Sequence, residues 1–431
     1  MMAALCQYKH WRSLVRADAP TSFSAVRLAF RRHSRYNAPD DICRKVEKTV
    51  RRLFALLMTL FLCFSAAFGE APAWSKEDMD AYTVARFRER RIVGGAVIIA
   101  RDGEILYAYD YGWKNAAKTQ LVTLDTCFHA ASVTKMVSAI GLMQLIEKEN
   151  IPLDTPVMDV VGFPVANPAF PDETVTIRQV LSHTSGLCST DDLTPNWEKL
   201  RVKDGVFSAT NAPGTAYEYS NLNGGLIGAM IEALSGQSVN TYMRENVFEP
   251  LGINAAYHPA LLPDQSDIAP KLKKNGSTFR TAKNELATFR DYNDTCDPRR
   301  NTDNTSGHLY TSVNGLIRVA MMLENGGEID GVRILRPETI QLMMSDQRMI
   351  PGSSVAAESR YGLCLARVDD LPGGAWYGHQ GRWQGLTSNA YFQPDTGLSI
   401  VIIASGYSAQ TVDEVVTIAR DFMEKAQELI E

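Results

Sequence analysis

Runs with the character of β-strands stand near both ends of residues 74–431, and the long interval between them reads as helix and loop. Val93 to Ala100, with paired glycines and β-branched residues, reads as a strand. Arg101-Asp102-Gly103-Glu104 is a turn, and Ile105 to Trp113 returns as the second strand of a hairpin. Strand signals resume at Tyr361 to Val368, Trp376 to His379, Leu386 to Gln393 and Gly397 to Ala404, with Pro394-Asp395-Thr396-Gly397 turning the last pair. Strands at both ends with helices between them imply one antiparallel sheet interrupted by a large, mostly helical insertion, from about residue 150 to 305. That is an α+β fold, not a doubly wound parallel sheet. Helices should flank it: Ser75 to Ile92, with Ser75 as N-cap and Glu77 and Asp78 in its first turn, and the amphipathic Thr411 to Ile430.

The first seventy residues are of another kind. Up to Arg52 the chain has twelve Lys and Arg against four acids and no steady apolar period. Leu53 to Phe68 is then a continuous apolar run of sixteen residues, shorter than the roughly 18–20 that a spanning helix prefers. A basic flank, a short apolar core and small residues beyond it describe a secretory signal peptide over residues 51–73, or a retained anchor. Ala67-Phe68-Gly69 and Ala71-Pro72-Ala73 both suit cleavage. Residues 1–50 would then be a basic extension, with translation starting near Val46 or Val50, or else an Arg-rich organellar presequence. Leu60-Phe61-Leu62-Cys63 is a poor lipoprotein box, because Leu62 is too bulky. The expected location is outside the cytoplasm, with membrane contact only through the apolar segment if it is uncleaved.

A net charge of -5 argues against a nucleic-acid partner, which calls for a basic stripe. The four cysteines beyond residue 73, Cys127, Cys188, Cys296 and Cys364, match no zinc spacing; three disulfide pairings are open to them, and inert thiols are the favoured reading. The seven histidines are scattered, with no metal-binding pattern among them.

Three short patterns carry chemistry, each weak alone. Ser132-Val133-Thr134-Lys135 opens the strongly helical Ser132 to Asn150. Residues three apart on a helix are neighbours, so the Lys135 amine can reach the Ser132 hydroxyl. The helix N-terminus favours an alkoxide and the oxyanion that follows it. Val133, Met136, Val137 and Ile140 should leave Lys135 poorly solvated and some of its amine neutral. Tyr219-Ser220-Asn221 offers a phenol to relay a proton and an amide to hold the lysine and a substrate carbonyl. His379-Gln380-Gly381 ends an expected strand, where glycine permits close approach of substrate backbone.

These elements, in this order and at these separations, resemble the serine β-lactamase and penicillin-binding protein superfamily, closest to its class C-like branch of esterases and D-amino-acid peptidases. The likeness extends to Val180–Leu187 (VLSHTSGL), Pro213–Gly228 (PGTAYEYSNLNGGLIG), Phe248–Ile253 (FEPLGI), His308–Ala320 (HLYTSVNGLIRVA) and Tyr377–Asn389 (YGHQGRWQGLTSN). It implies the β-lactamase/transpeptidase-like fold for residues 74–431 and a serine hydrolase working through an acyl-enzyme on an ester, amide or peptide. Catalytic residues would be Ser132, Lys135 and Tyr219; Asn221, His379, Gln380, Gly381 and Arg382 would bind substrate. The backbone N–H groups of Ser132 and Arg382 would form an oxyanion hole. No cofactor or metal is implied. His183 is expected to hold a turn.

The departures bear on substrate. Dedicated β-lactamases of this kind carry Lys-Thr-Gly where this chain has His379-Gln380-Gly381, and a mostly neutral histidine attracts a substrate carboxylate less. Gln380 should narrow the cleft, and the Arg382 guanidinium is expected to replace the missing charge. Esterase or D-amino-acid peptidase action is therefore favoured over β-lactam hydrolysis; the alternative is a penicillin-binding protein or sensor that acylates with little turnover.

Overall fold

Ser75 starts the first helix, α1 (Lys76–Glu89), through a capping box in which its side chain accepts from the Asp78 N–H and the Asp78 carboxylate accepts from the Ser75 N–H. The computed structural model describes residues 74–188, 196–276, 278–282, 294–300, 304–345, 348–349, 359–407 and 409–430. The expected basic extension, signal segment and cleavage sites lie outside them. Ala73–Glu431 forms one compact unit.

Its frame is an eight-stranded antiparallel sheet. The strands are β1 (Gly94–Arg101), β2 (Glu104–Gly112), β3 (Arg348–Met349), β4 (Arg360–Tyr361), β5 (Ala366–Val368), β6 (Trp376–Trp383), β7 (Leu386–Gln393) and β8 (Leu398–Ser405). Their spatial order is β3-β4-β5-β6-β7-β8-β1-β2, so the N-terminal hairpin docks onto the last strand through β1. Pairing runs from Gly94 opposite Ser405 to Arg101 opposite Leu398. Distant ends of the sequence thus close one sheet, as the strand pattern implied.

Strand periodicity divides the core. Val97 and Ile99 of β1 join Phe87, Trp376, Tyr391, Ile402 and Phe422 on one face, beneath α1 and the C-terminal α5 (Val412–Glu428). Ala96, Ile98 and Ala100 face the opposite way, onto the helical insertion. Arg90 bonds Asp421 at 2.5 Å and the Tyr82 hydroxyl donates to the Asp421 carbonyl, tying α1 to α5.

Helices α2 (Val133–Glu149) and α4 (Val313–Glu324) pack on the other side of the sheet, and α3 (Asn221–Ser235) packs on α2. Every residue of α2 from Val133 to Met143 is buried, so this helix is a central pillar and not a surface amphipath. Asn150, in the left-handed conformation, ends it.

One strand expectation is corrected. The run Tyr361 to Val368 is two strands, because its middle leaves the ladder: the Cys364 N–H bonds the Leu181 carbonyl at 2.8 Å from a left-handed backbone, and an added Cβ at Gly362 would lie 2.2 Å from the Met343 oxygen. The insertion, mostly helical as expected, also holds the hairpin Leu272–Asn275 with Thr278–Thr281 and the strand Ala255–Ala256, which joins Tyr310–Thr311 and Phe128–His129 from outside it in a small sheet. All four described cysteines are free thiols. Burial first of all pushes Cys127, Cys188 and Cys364 up to about 12, so they are poor nucleophiles.

Candidate active site

Ser132 stands at the N-cap position of α2, where the start of α3 and strand β6 come together around it and Lys135. Ala131, just before it, adopts φ 47°, a left-handed conformation costly for alanine and fixed here by its surroundings. The Ser132 side chain makes no capping bond to α2, which leaves its Oγ for the cleft.

Lys135, one turn on, is fully buried. Its Nζ lies 3.3 Å from Ser132 Oγ, 2.9 Å from Asn221 Oδ1 and 2.6 Å from the Ser306 carbonyl oxygen. The same atom stands 4.9 Å from the centre of the Tyr219 ring. Helix spacing puts Lys135 beside Ser132, the family resemblance adds Tyr219 and Asn221, and the fold brings the four together. The sequence did not anticipate Ser306, since a backbone carbonyl leaves no mark in sequence. Gly224 permits that contact: a Cβ there would meet Ser306 Cα at 2.6 Å and Lys135 Cε at 3.2 Å.

His183 holds the Tyr219–Asn221 turn. Its Nδ1 accepts from the Ser220 N–H at 3.2 Å and from Asn223 Nδ2 at 3.0 Å, and its carbonyl takes the Glu218 N–H at 2.8 Å. Its ring lies 4.3 Å from that of Tyr219. Burial, then the Lys135 charge, holds its pKa well below the usual histidine value, so it is a neutral acceptor. The expected structural role is the observed one.

Strand β6 closes the cleft. Its ladder with β5 spans only Trp376 to Gly378, so its edge from His379 onward is not paired with β5. At Gly381 an added Cβ would lie 2.9 Å from Ser132 N, so His379, Gly381 and Trp383 share the face turned to Ser132. His379 is sealed there: Nδ1 contacts the Gln380 carbonyl at 2.5 Å, and Nε2 is 2.9 Å from the Tyr361 hydroxyl. The carbonyl can only accept, so Nδ1 carries the proton and Tyr361 donates to Nε2. Burial, then the Lys135 charge, lowers the His379 pKa to about 3.

Gln380 and Arg382 project from the other face. Gln380 is 7% exposed, and Arg382 donates to the Gln410 carbonyl just ahead of α5. Neither side chain narrows the cleft or brings charge to it, which corrects both expectations; the reason is the two-residue period of the strand.

Residues 66–420 match the family model described as Beta-lactamase. The chain belongs to the beta-lactamase family. Among similar beta-lactamase-family proteins, penicillin-binding protein 4 of Amycolatopsis lactamdurans is 28% identical over 337 residues, covering 74% of this chain and 82% of that one. Esterase EstB of Burkholderia gladioli is 26% identical over 375 residues, covering 76% and 89%. The octameric penicillin-binding protein homologue from Pyrococcus abyssi superposes with a TM-score of 0.65 at 22% identity, covering 81% of this chain and 77% of that one, which shows the shared fold. As a member of this family the protein is a serine hydrolase.

Proposed function

We propose that this protein is an exported serine hydrolase that forms an acyl-enzyme on Ser132 with small esters, amides or peptides. The observation that carries the reading is the Lys135 amine, buried, 3.3 Å from Ser132 Oγ and held in place by Asn221 and Ser306. Lys135 and Tyr219 together take the Ser132 proton as Oγ bonds to the substrate carbonyl carbon. Ser132 N–H and Arg382 N–H receive the oxyanion. Collapse breaks the bond to the leaving group, which takes the proton through Tyr219. Water then attacks the acyl ester, its proton passing back to Ser132 as the free acid leaves.

The neutral His379 in place of a lysine supports ester or D-amino-acid peptide substrates over β-lactams. The relative named as an esterase supports the same preference, and the one named as a penicillin-binding protein supports the alternative of slow deacylation. Intact-mass spectrometry with p-nitrophenyl butyrate, nitrocefin and a fluorescent penicillin separates the two, with Ser132→Ala beside the wild type. Steady ester turnover that vanishes in the variant is expected. A lasting penicilloyl adduct without turnover makes the protein a β-lactam sensor, and neither adduct nor turnover refutes the assignment of Ser132. Export rests on the apolar run after Arg51-Arg52; N-terminal sequencing of the mature protein should give a start near residue 70 to 74, and an uncleaved chain recovered in the cytoplasmic fraction refutes it.

A further inference from the structure

With His379 neutral and Arg382 turned to the far face, neither charged position of the β6 motif brings a cation to Ser132. Lys271, just ahead of the hairpin strand Leu272–Asn275, holds its Nζ 5.4 Å from the centre of the Trp383 ring and 5.9 Å from that of Tyr310. Trp383, Tyr310 and His308 surround the imidazole of His129, with ring centres 5.7, 5.5 and 5.8 Å away. His129 is 2% exposed, and neither of its ring nitrogens has a hydrogen-bond partner among the described residues. Buried polar atoms are rarely left so, because each costs about 1–3 kcal/mol. Trp383 remains 43% exposed at the rim above it.

The position of this cluster relative to the nucleophile follows from β6. His379, Gly381 and Trp383 share one face, spaced about 7 Å apart along the strand. Gly381 abuts Ser132 N. Tyr219 lies beside His379, with ring centres 6.2 Å apart, so it and the leaving group it protonates fall on one side of Gly381. Trp383, His129 and Lys271 fall on the other side, where the acyl part of the substrate must lie.

We infer that His129, Lys271 and Trp383 form an acyl-side subsite for an acyl group that ends in a carboxylate. The Lys271 ammonium and a His129 N–H donate to the carboxylate, and the Trp383 ring lines the methylene chain between it and the scissile carbonyl. The inference rests on Ser132 being the acylated residue.

The test is the ratio of kcat/KM for mono-p-nitrophenyl glutarate to that for p-nitrophenyl butyrate, which differ in the terminal carboxylate. Wild type should favour the glutarate. Lys271→Gln should cut the ratio about tenfold, as expected for loss of a charged hydrogen bond, and Lys271→Arg should keep most of it. A wild-type enzyme that turns over both esters with the same ratio in Lys271→Gln overturns the subsite and leaves the hydrolase reading standing. Equal ratios in the glutamine and arginine variants, both below wild type, also overturn it, since charge would then not matter. Turnover of neither ester, with no acyl adduct, overturns the reading of Ser132 and the subsite with it.

Discussion

At Gly381 an added Cβ would lie 2.3 Å from Ser388 Oγ, 2.6 Å from the Ala130 carbonyl and 2.9 Å from Ser132 N. These atoms are backbone or held by backbone, since Ser388 Oγ itself donates to Ala130 O at 2.6 Å. Gly381→Ala must therefore move β6 away from Ser132. A shift near 1 Å costs about 10²-fold in rate, so kcat/KM for p-nitrophenyl butyrate should fall by that order; unchanged kinetics would contradict the close approach of β6 to Ser132. His183→Ala should act through position. It leaves the Ser220 N–H and the Asn223 amide without an acceptor in a buried place, a loss of about 1–3 kcal/mol for each. Urea unfolding should show the loss, with a fall in kcat beside it; activity kept at full level despite lower stability would separate the turn from catalysis. Ser132, Lys135, Tyr219 and Asn221 were legible as residues because side-chain chemistry is written in sequence. Ser306 was not, because it contributes only a carbonyl.

Among the elements, α2 and α3 meet through Gly224, where the missing side chain admits Ser306 and the Lys135 stem. Thr305 Oγ1 seals the same seam, donating to the Gly224 carbonyl at 2.6 Å and accepting the Gly228 N–H at 3.1 Å. Gly224→Ala overpacks the seam, and about 1–3 kcal/mol of stability should go with it. The Ser306 carbonyl should retreat from Lys135, so kcat should fall more than KM rises; a lower melting temperature with normal kcat would show the carbonyl contact to be dispensable. Local pattern located the long elements well. Leu386–Gln393 is the strand expected, and Thr411 caps α5 as the polar residue before an amphipathic run should. It failed between Tyr361 and Val368, where apolar composition reads as one strand and contacts with Leu181 and Met343 break it.

For the whole molecule, buried neutral histidines make stability depend on pH. Burial lowers His129 and His183 well below the usual value, His379 to about 3 and His258 to about 4. In the unfolded chain each takes a proton near pH 6.5, well before the folded form does. The unfolded state then binds more protons, so stability rises with pH through this window and falls on acidification. Between pH 6.5 and 5 each such group should contribute a slope approaching about 1.4 kcal/mol per pH unit, offset in part by Glu324, whose carboxyl is raised by burial to about 7, so that the folded state takes up that proton first. Melting temperature measured across that range should drop steadily; a flat profile would mean these imidazoles are charged or exposed in the folded protein.

The sequence by itself determined the class of fold, the helix caps, the order of the strands along the chain and the set Ser132, Lys135, Tyr219 and Asn221. The fold class, the caps and the Ser132–Lys135 pair depend on periodicity, on side-chain type and on spacing within one helix turn, all of which are local; Tyr219 and Asn221 join them through the resemblance carried by several motifs in order. Only the tertiary structure decided which face of β6 meets the nucleophile, and so that Gly381 approaches Ser132 while Arg382 turns to Gln410. Alternation along a strand separates neighbours into two sets, but the layer packed on each face settles which set lines a site. The same holds for Lys271, His129 and Trp383: residues more than a hundred positions apart come together only once the insertion folds back onto the sheet.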